Sequence, residues 1–206
     1  MSMDKIRIKS QTWGLSSAMI PSGTGVGVVN LNFTQQFNSI KSLYLVSGGG
    51  TRTVSANGNM DAYNVAGDTG SYQFIVNGTA FPQRALSCNL NMNGLQQELR
   101  QAIGSSIFDP HNSMSINNYE WWVQGSPNMV TAPMAPAKFY VGLCLEKVKG
   151  ERNNNLFTGV STGSSNITAI INIGTALTQN YNCQLILNAD YILEIEPASK
   201  NIMIIK

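Results

Sequence analysis

"LILNADYILEIE", Leu185–Glu196, is the stretch whose reading decides the fold. Its odd positions, Leu185, Leu187, Ala189, Tyr191, Leu193 and Ile195, are apolar or aromatic, while its even positions include Asn188, Asp190, Glu194 and Glu196. Side chains of an extended chain alternate between two faces, so this run presents one apolar and one polar face. Alternation sustained over so long a stretch predicts a half-buried strand, or two collinear ones. Glu194 and Glu196 are expected on its solvent face.

The same period recurs along the chain. "KIRIK" puts Ile6 and Ile8 on one face, and "VVNLNFT" sets Val29, Leu31 and Phe33 against Asn30, Asn32 and Thr34. "SIKSLYLV" follows, then the Gly/Ser/Asn-rich loop "SGGGTRTVSANGNM". "YQFIVNGTAFPQRALS", Tyr72–Ser87, reads as strand, turn, strand. Asn77-Gly78 suits a two-residue hairpin because both positions tolerate positive φ. Pro82 lacks an N–H and marks an edge, a strand start or a strand end. "AKFYVGLCLEKV" aligns Phe139, Val141, Leu143 and Leu145, and "NITAIINI" aligns Ile167, Ala169, Ile171 and Ile173.

One segment breaks the period. "NGLQQELRQAIG" spaces Leu95, Leu99 and Ile103 four apart, which predicts a short amphipathic helix over about residues 93–103. Asn93 is the expected N-cap, with Gln96 at the capping-box position, and Gly104 is the expected stop. Such a helix is expected as a lid over one open end of a barrel. Many short strands, long polar loops and no strand–helix alternation define the class: all-β, an antiparallel jelly-roll sandwich of about eight strands with one helix. An immunoglobulin-like sandwich needs only about 100 residues. With no repeat and no internal linker, residues 1–206 are expected to form a single domain.

Composition narrows the function. Charged residues make up 12% of 206, about half the usual share. The 13 basic and 11 acidic residues give a net charge of +2 without a basic cluster, so no direct nucleic-acid binding is expected. "MSMDKIRIKS" lacks the apolar core of a secretory leader, and no run approaches a membrane span. Cys88, Cys144 and Cys183 have no metal-type spacing and are expected as buried, reduced thiols.

Chemistry is sparse. "GTGVG", Gly23–Gly27, has neither the strand-then-helix context nor the Gly-Lys-Ser/Thr ending of a phosphate loop, and reads as turn glycines. The single histidine, His111, follows Asp109 in "FDPHNS", a turn-like sequence. Asp61, Asp68 and Asp109 show no calcium-loop spacing. No catalytic, cofactor-binding or metal-binding residue is expected, and no small-molecule substrate. The candidate interface residues are Trp121, Trp122, Met129, Met134 and Pro136. Adjacent Trp121 and Trp122 point to opposite faces of a strand, so only one enters a core unless a second layer covers the other. The exposed one suits an interface anchor or a sugar-stacking platform. The almost uncharged loop "GSPNMVTAPMAPAKF" is poor as free surface and suits burial against a neighbouring subunit or its own sandwich.

The order of several motifs carries a resemblance. The Asn77-Gly78 hairpin with Pro82, the helix, "AKFYVGLCLE", the "GVST" stretch Gly159–Thr162 before Ile167, and the closing Tyr191, Leu193, Ile195 strand with its turn and last short strand follow one another across nearly the whole chain. In this order they resemble the C-terminal jelly roll of double jelly-roll major capsid proteins of the adenovirus, Polinton, virophage and large-DNA-virus lineage. The resemblance implies a viral capsid structural protein, located in the virion and made in the host cytoplasm or nucleus. It implies no enzymatic activity and no cofactor. Its partners would be copies of itself, with a trimer favoured, and other capsid proteins, in an icosahedral shell. The length leaves room for one jelly roll where the family has two. The chain is then a second half, or a single jelly roll such as a penton or minor capsid protein. A carbohydrate- or receptor-binding jelly-roll module is the alternative from another class.

Overall fold

The computed structural model describes residues 5–49, 62–88, 92–106, 139–146, 158–197 and 201–205. Nine strands and one helix are described: β1 (Ile6–Ile20), β2 (Gly27–Phe33), β3 (Ile40–Gly49), β4 (Ser71–Val76), β5 (Thr79–Ser87), α1 (Met92–Ser106), β6 (Tyr140–Cys144), β7 (Ile167–Ile173), β8 (Tyr181–Glu196) and β9 (Asn201–Ile205). They form two antiparallel sheets. One has the order β1-β8-β3-β6, with β9 also paired to β8, and the other has the order β2-β7-β4-β5. Successive strands thus cross between sheets in the order of an eight-stranded jelly roll, with β9 as an addition.

The alternating runs bury the residues their period selects. Leu185, Leu187 and Ala189 of β8, Leu43 and Leu45 of β3, and Val141 and Leu143 of β6 lie on one face of the first sheet. Phe33, Phe74, Ile171 and Ile173 face them from the second sheet. Tyr72 and Phe139 meet across the gap with ring centroids 6.0 Å apart, which identifies these faces as the sandwich interior. The Asn77-Gly78 turn has φ of 49° and 74°, and Pro82 lies in β5, the edge strand of its sheet. β5 bulges opposite β4 between Tyr72 and Phe74, and the Gln73 amide donates to the carbonyls of Pro82 and Gln83.

The "GVST" stretch stitches the β6–β7 connection to the segment before β3. Val160 and Ile40 exchange backbone hydrogen bonds of 2.9 and 3.0 Å. The Thr162 hydroxyl donates to the Phe37 carbonyl at 3.1 Å and accepts from the Phe37 N–H at 3.0 Å.

Four expectations need correction. The helix begins at Met92 and runs through Ser106, so Asn93 lies inside its first turn and Gly104 does not stop it. A single interior glycine costs only about 1 kcal/mol, and the fully buried Leu95, Leu99 and Ala102 hold this helix by packing. Nor is α1 a lid over a barrel end. A Cβ at Gly142 would lie 2.6 Å from Leu99 Cδ1 and 3.2 Å from both Ala102 and Tyr44. Gly142 and Tyr44 are register partners on the face turned away from the second sheet. The helix therefore forms a third layer on the outside of β3 and β6, seated where glycine leaves room for Leu99. β1 extends to Ile20, far beyond "KIRIK". Finally, Glu194 is not a solvent-facing residue: it is buried beneath Lys5 and Arg7, and Asn188 and Asp190 on the same face are buried too.

Candidate assembly surface

The outer face of the first sheet divides into two halves. Over β3 and β6 it is covered by α1. Over β1 it carries Trp13, Leu15 and Met19, each more than half exposed, beside the partly buried Ile186 opposite Leu15. Trp13 reaches toward the covered half, its ring 6.2 Å from that of Tyr44. Toward the interior, β1 presents Thr12, Gly14, Ser16, Ala18 and Ile20. Gly14 is small for a reason: a Cβ there would stand 2.8 Å from the Phe37 ring. Between Thr12 and Ile20, β1 thus inverts the usual arrangement, with the small Gly14, Ser16 and Ala18 inward and the large Trp13, Leu15 and Met19 outward.

Ion pairs join charged residues at two places in this sheet. Glu194 accepts hydrogen bonds from Lys5 Nζ at 2.7 Å and Arg7 Nε at 2.9 Å. The Lys5 and Arg7 contacts hold its carboxyl below the usual carboxylate range. A group held low contributes stability above its unfolded value of 4.5 and loses that contribution as pH falls through the lower folded value. Thermal stability is therefore expected to drop on acidification below about pH 4.5, with Glu194→Gln flattening that part of the profile; differential scanning calorimetry across pH 2–6 checks it. The second place is an internal cluster. Lys41 Nζ sits 3.3 Å from Glu146 and 3.4 Å from Asp190, and the Ser39 hydroxyl donates to Asp190 at 2.9 Å.

None of the three thiols is in a disulfide. Burial pushes Cys88 up to about 12 and Cys183 up to about 11. Both should stay unlabelled by iodoacetamide in the native protein at pH 8, while the half-buried Cys144 reacts first. Mass spectrometry of tryptic peptides reads this directly.

Trp121, Trp122, Met129, Met134 and Pro136 lie outside the described residues, as do Asp61, Asp109 and His111. Asp68 is an exposed turn residue. Gly23 and Gly27 of "GTGVG" take φ of 80° and 145° in the connection before and into β2. Among the described residues, no three His, Cys, Asp or Glu side chains converge as a metal set would, and no helix is long and apolar enough to cross a membrane. Sequence reasoning missed Trp13, Leu15 and Met19. Their signal was the alternation of large with small residues in "TWGLSSAM", which reads as a strand once either size class is allowed to face inward.

What these elements define is an antiparallel jelly-roll sandwich with an apolar flank and a helix layered on its outer face. Solved structures similar to it include proteins of viral capsids. They include the Sputnik virophage, with 15% identity over 96% of this chain and 38% of that one at a TM-score of 0.46. The mavirus major capsid protein shares 10% identity over 97% of this chain and 41% of its own, at 0.49. The PBCV-1 virus capsid shares 12% over 97% and 51%, at 0.44. The chain thus spans between 38% and 51% of the length of the chains it matches. No protein-family profile and no curated protein matches it.

Proposed function

We propose that this chain is a structural subunit of a viral capsid, a major-capsid-type jelly roll that packs side to side with copies of itself, through trimers, into an icosahedral shell. It acts in the virion, catalyses no reaction and joins other capsid proteins there. The observation that carries the reading is the flank of β1. Trp13, Leu15 and Met19 stand together on an outer sheet face that also offers an edge strand. Contiguous exposed apolar surface of this kind marks an interaction surface, and tryptophan is enriched among interface anchors. The motif order supports the same reading. The hairpin, the helix, the "GVST" stitch and the closing strand fall on successive elements of one jelly roll.

Molar mass by light scattering over a range of concentration and salt, with negative-stain electron microscopy of the same samples, tests it. Discrete trimers or closed particles are the expected result. A species that forms neither at any condition would remove the shell reading.

A further inference from the structure

The irregularity in β3 between Ile40 and Ser42 sets Lys41 outside the alternation of its strand. Its buried ammonium stands against two carboxyls, with Nζ 3.3 Å from Glu146 Oε1 and 3.4 Å from Asp190 Oδ1. Backbone bonds hold the three residues in place. The Asp190 N–H donates to the Ser39 carbonyl at 2.9 Å, and the Leu145 N–H donates to the Lys41 carbonyl at 2.7 Å. An amine from β3, an acid from β8 and an acid from just past β6 therefore meet whatever their side chains do.

The two carboxyls differ in their surroundings. Asp190 is wholly buried, and its Oδ2 accepts from the Ser39 hydroxyl at 2.9 Å, which leaves Oδ1 toward Lys41. Ser39 Oγ accepts in turn from the Gly159 N–H at 3.1 Å, so its own hydrogen stays on Asp190. Glu146 sits at the rim, and burial raises its carboxyl above the usual value. One acid is clamped, and the other is suited to exchanging a proton.

We propose that Lys41 and Asp190 condense into an intramolecular amide, a covalent link between β3 and β8, with Glu146 relaying the protons. Glu146 takes a proton from the Lys41 ammonium, which frees the lone pair of Nζ. Nζ attacks Asp190 Cγ, and the Nζ–Cγ bond forms. The Ser39 hydroxyl donates to Oδ2 as negative charge gathers there, as an oxyanion hole does. The Cγ–Oδ1 bond then breaks. Oδ1 leaves as water with the two protons that nitrogen gives up, both passed on by Glu146. An ammonium and a carboxylate become an amide and one water, with no oxidant or further reactant, and the net charge of the cluster is unchanged.

In water such a condensation runs backwards. Here the partners are already in place, and fixed geometry is worth an effective concentration of about 10⁵–10⁸ M. Reacting atoms need to approach to about 3–3.5 Å, and Nζ is 3.4 Å from an oxygen bonded to the carbon it attacks. The amide also removes two charges that have lost their hydration. The charge that remains is on Glu146, the most exposed of the three side chains.

Intact mass of the purified chain in denaturant, followed by tryptic mapping, tests the proposal. After incubation in the native state the expected chain is lighter than its sequence by one water, and trypsin does not cut after Lys41. Residues 10–52 then appear joined to residues 153–200. Lys41→Arg and Asp190→Ala are expected to keep the full mass, and Glu146→Gln to form the link at least about a hundredfold more slowly, as loss of a general acid–base does. Should a variant fail to fold, as judged by circular dichroism, the wild-type peptide map decides by itself. A wild type of full mass that is cut after Lys41 overturns the proposal. So does a loss of water confined to a single peptide, which is a succinimide and not a cross-link. A link from residues 10–52 to residues 139–147 overturns it as well, because Glu146 would then be the acceptor. Equal rates for a folded Glu146→Gln and the wild type overturn the relay.

Discussion

Lys41→Met is expected to lower the unfolding free energy by about 3–5 kcal/mol. Lys41 occupies the irregularity between Ile40 and Ser42 where β3 leaves register with β8. Its side chain is 4% exposed, that of Glu146 10% and that of Asp190 0%, and its ammonium lies between their carboxylates at 3.3 and 3.4 Å. Without it, two acidic groups share a site that water scarcely reaches. Breaking a buried pair costs this much because the remaining charge keeps its desolvation penalty and loses its compensation. The pH dependence has a definite sign. Burial pushes the Glu146 carboxyl above its usual 4.5, and Lys41 pulls it back down. Removal of the lysine leaves the upward push unopposed. A group raised in the folded state binds protons more readily there, so the variant recovers stability as pH falls and is weakest at neutral pH. Urea denaturation at pH 7 and pH 4.5 measures both effects. A loss under about 1 kcal/mol, typical of a surface pair, would mean that solvent screens the cluster.

Gly70→Ala is expected to cost about 3 kcal/mol, at the upper end of the range for overpacking. A Cβ at this position would overlap the carbonyl oxygens of Ala66 and Asn172. Neither neighbour can swing aside as a side-chain tip would. The Ala66 carbonyl accepts from the Gly174 N–H at 2.8 Å, and Asn172 is the register partner of Ser71 in the β4–β7 ladder. The Gly70 carbonyl itself accepts from the Cys88 N–H at 2.9 Å, which ties the end of β5 to the start of β4. The added methyl pries three segments apart together. Gly78→Ala is a fitting contrast, because no atom lies within 4 Å of its Cβ position and only its φ of +74° opposes the change. A smaller destabilisation is expected there, about 1 kcal/mol. Denaturant midpoints of the two variants should separate in that order.

Most of the sandwich was legible because its interior obeys a period of two. The runs around Phe74, Val141, Ile171 and Leu187 each bury the residues their alternation picks out. β1 was legible only at its start. Between Thr12 and Ile20 the residues that face inward are the small Gly14, Ser16 and Ala18, with the Phe37 ring pressing on the strand at Gly14, while Trp13, Leu15 and Met19 face out. Hydrophobic pattern reading assumes the reverse. The buried polar residues of β8 were illegible for a related reason. Asn188, Asp190 and Glu194 keep the alternation of a solvent face, yet their burial depends on Ser42, Lys41, Lys5 and Arg7, which arrive from strands far away in sequence. The helix was visible from its Leu95, Leu99 spacing, but not its seat. That depends on the missing side chain of Gly142, a feature no helical period encodes. The interface candidates around Trp121 and Met134 fall outside the described residues, and the apolar flank emerges on a different strand.

The pairing of β1 with β8 also governs when this sandwich can form. Lys5 and Glu194 are 189 residues apart in the chain, and every rung of the β1–β8 ladder spans a comparably long interval. At translation rates of about 5–20 residues per second, β1 waits roughly 10–40 s on the ribosome before its partner exists. Throughout that interval Trp13, Leu15 and Met19 are carried on a strand with no ladder, and β3 lacks its central neighbour as well. High contact order of this kind makes folding slow. The nascent chain is thus a natural client for holding chaperones, and its yield should depend more on their supply than on the stability of the finished fold.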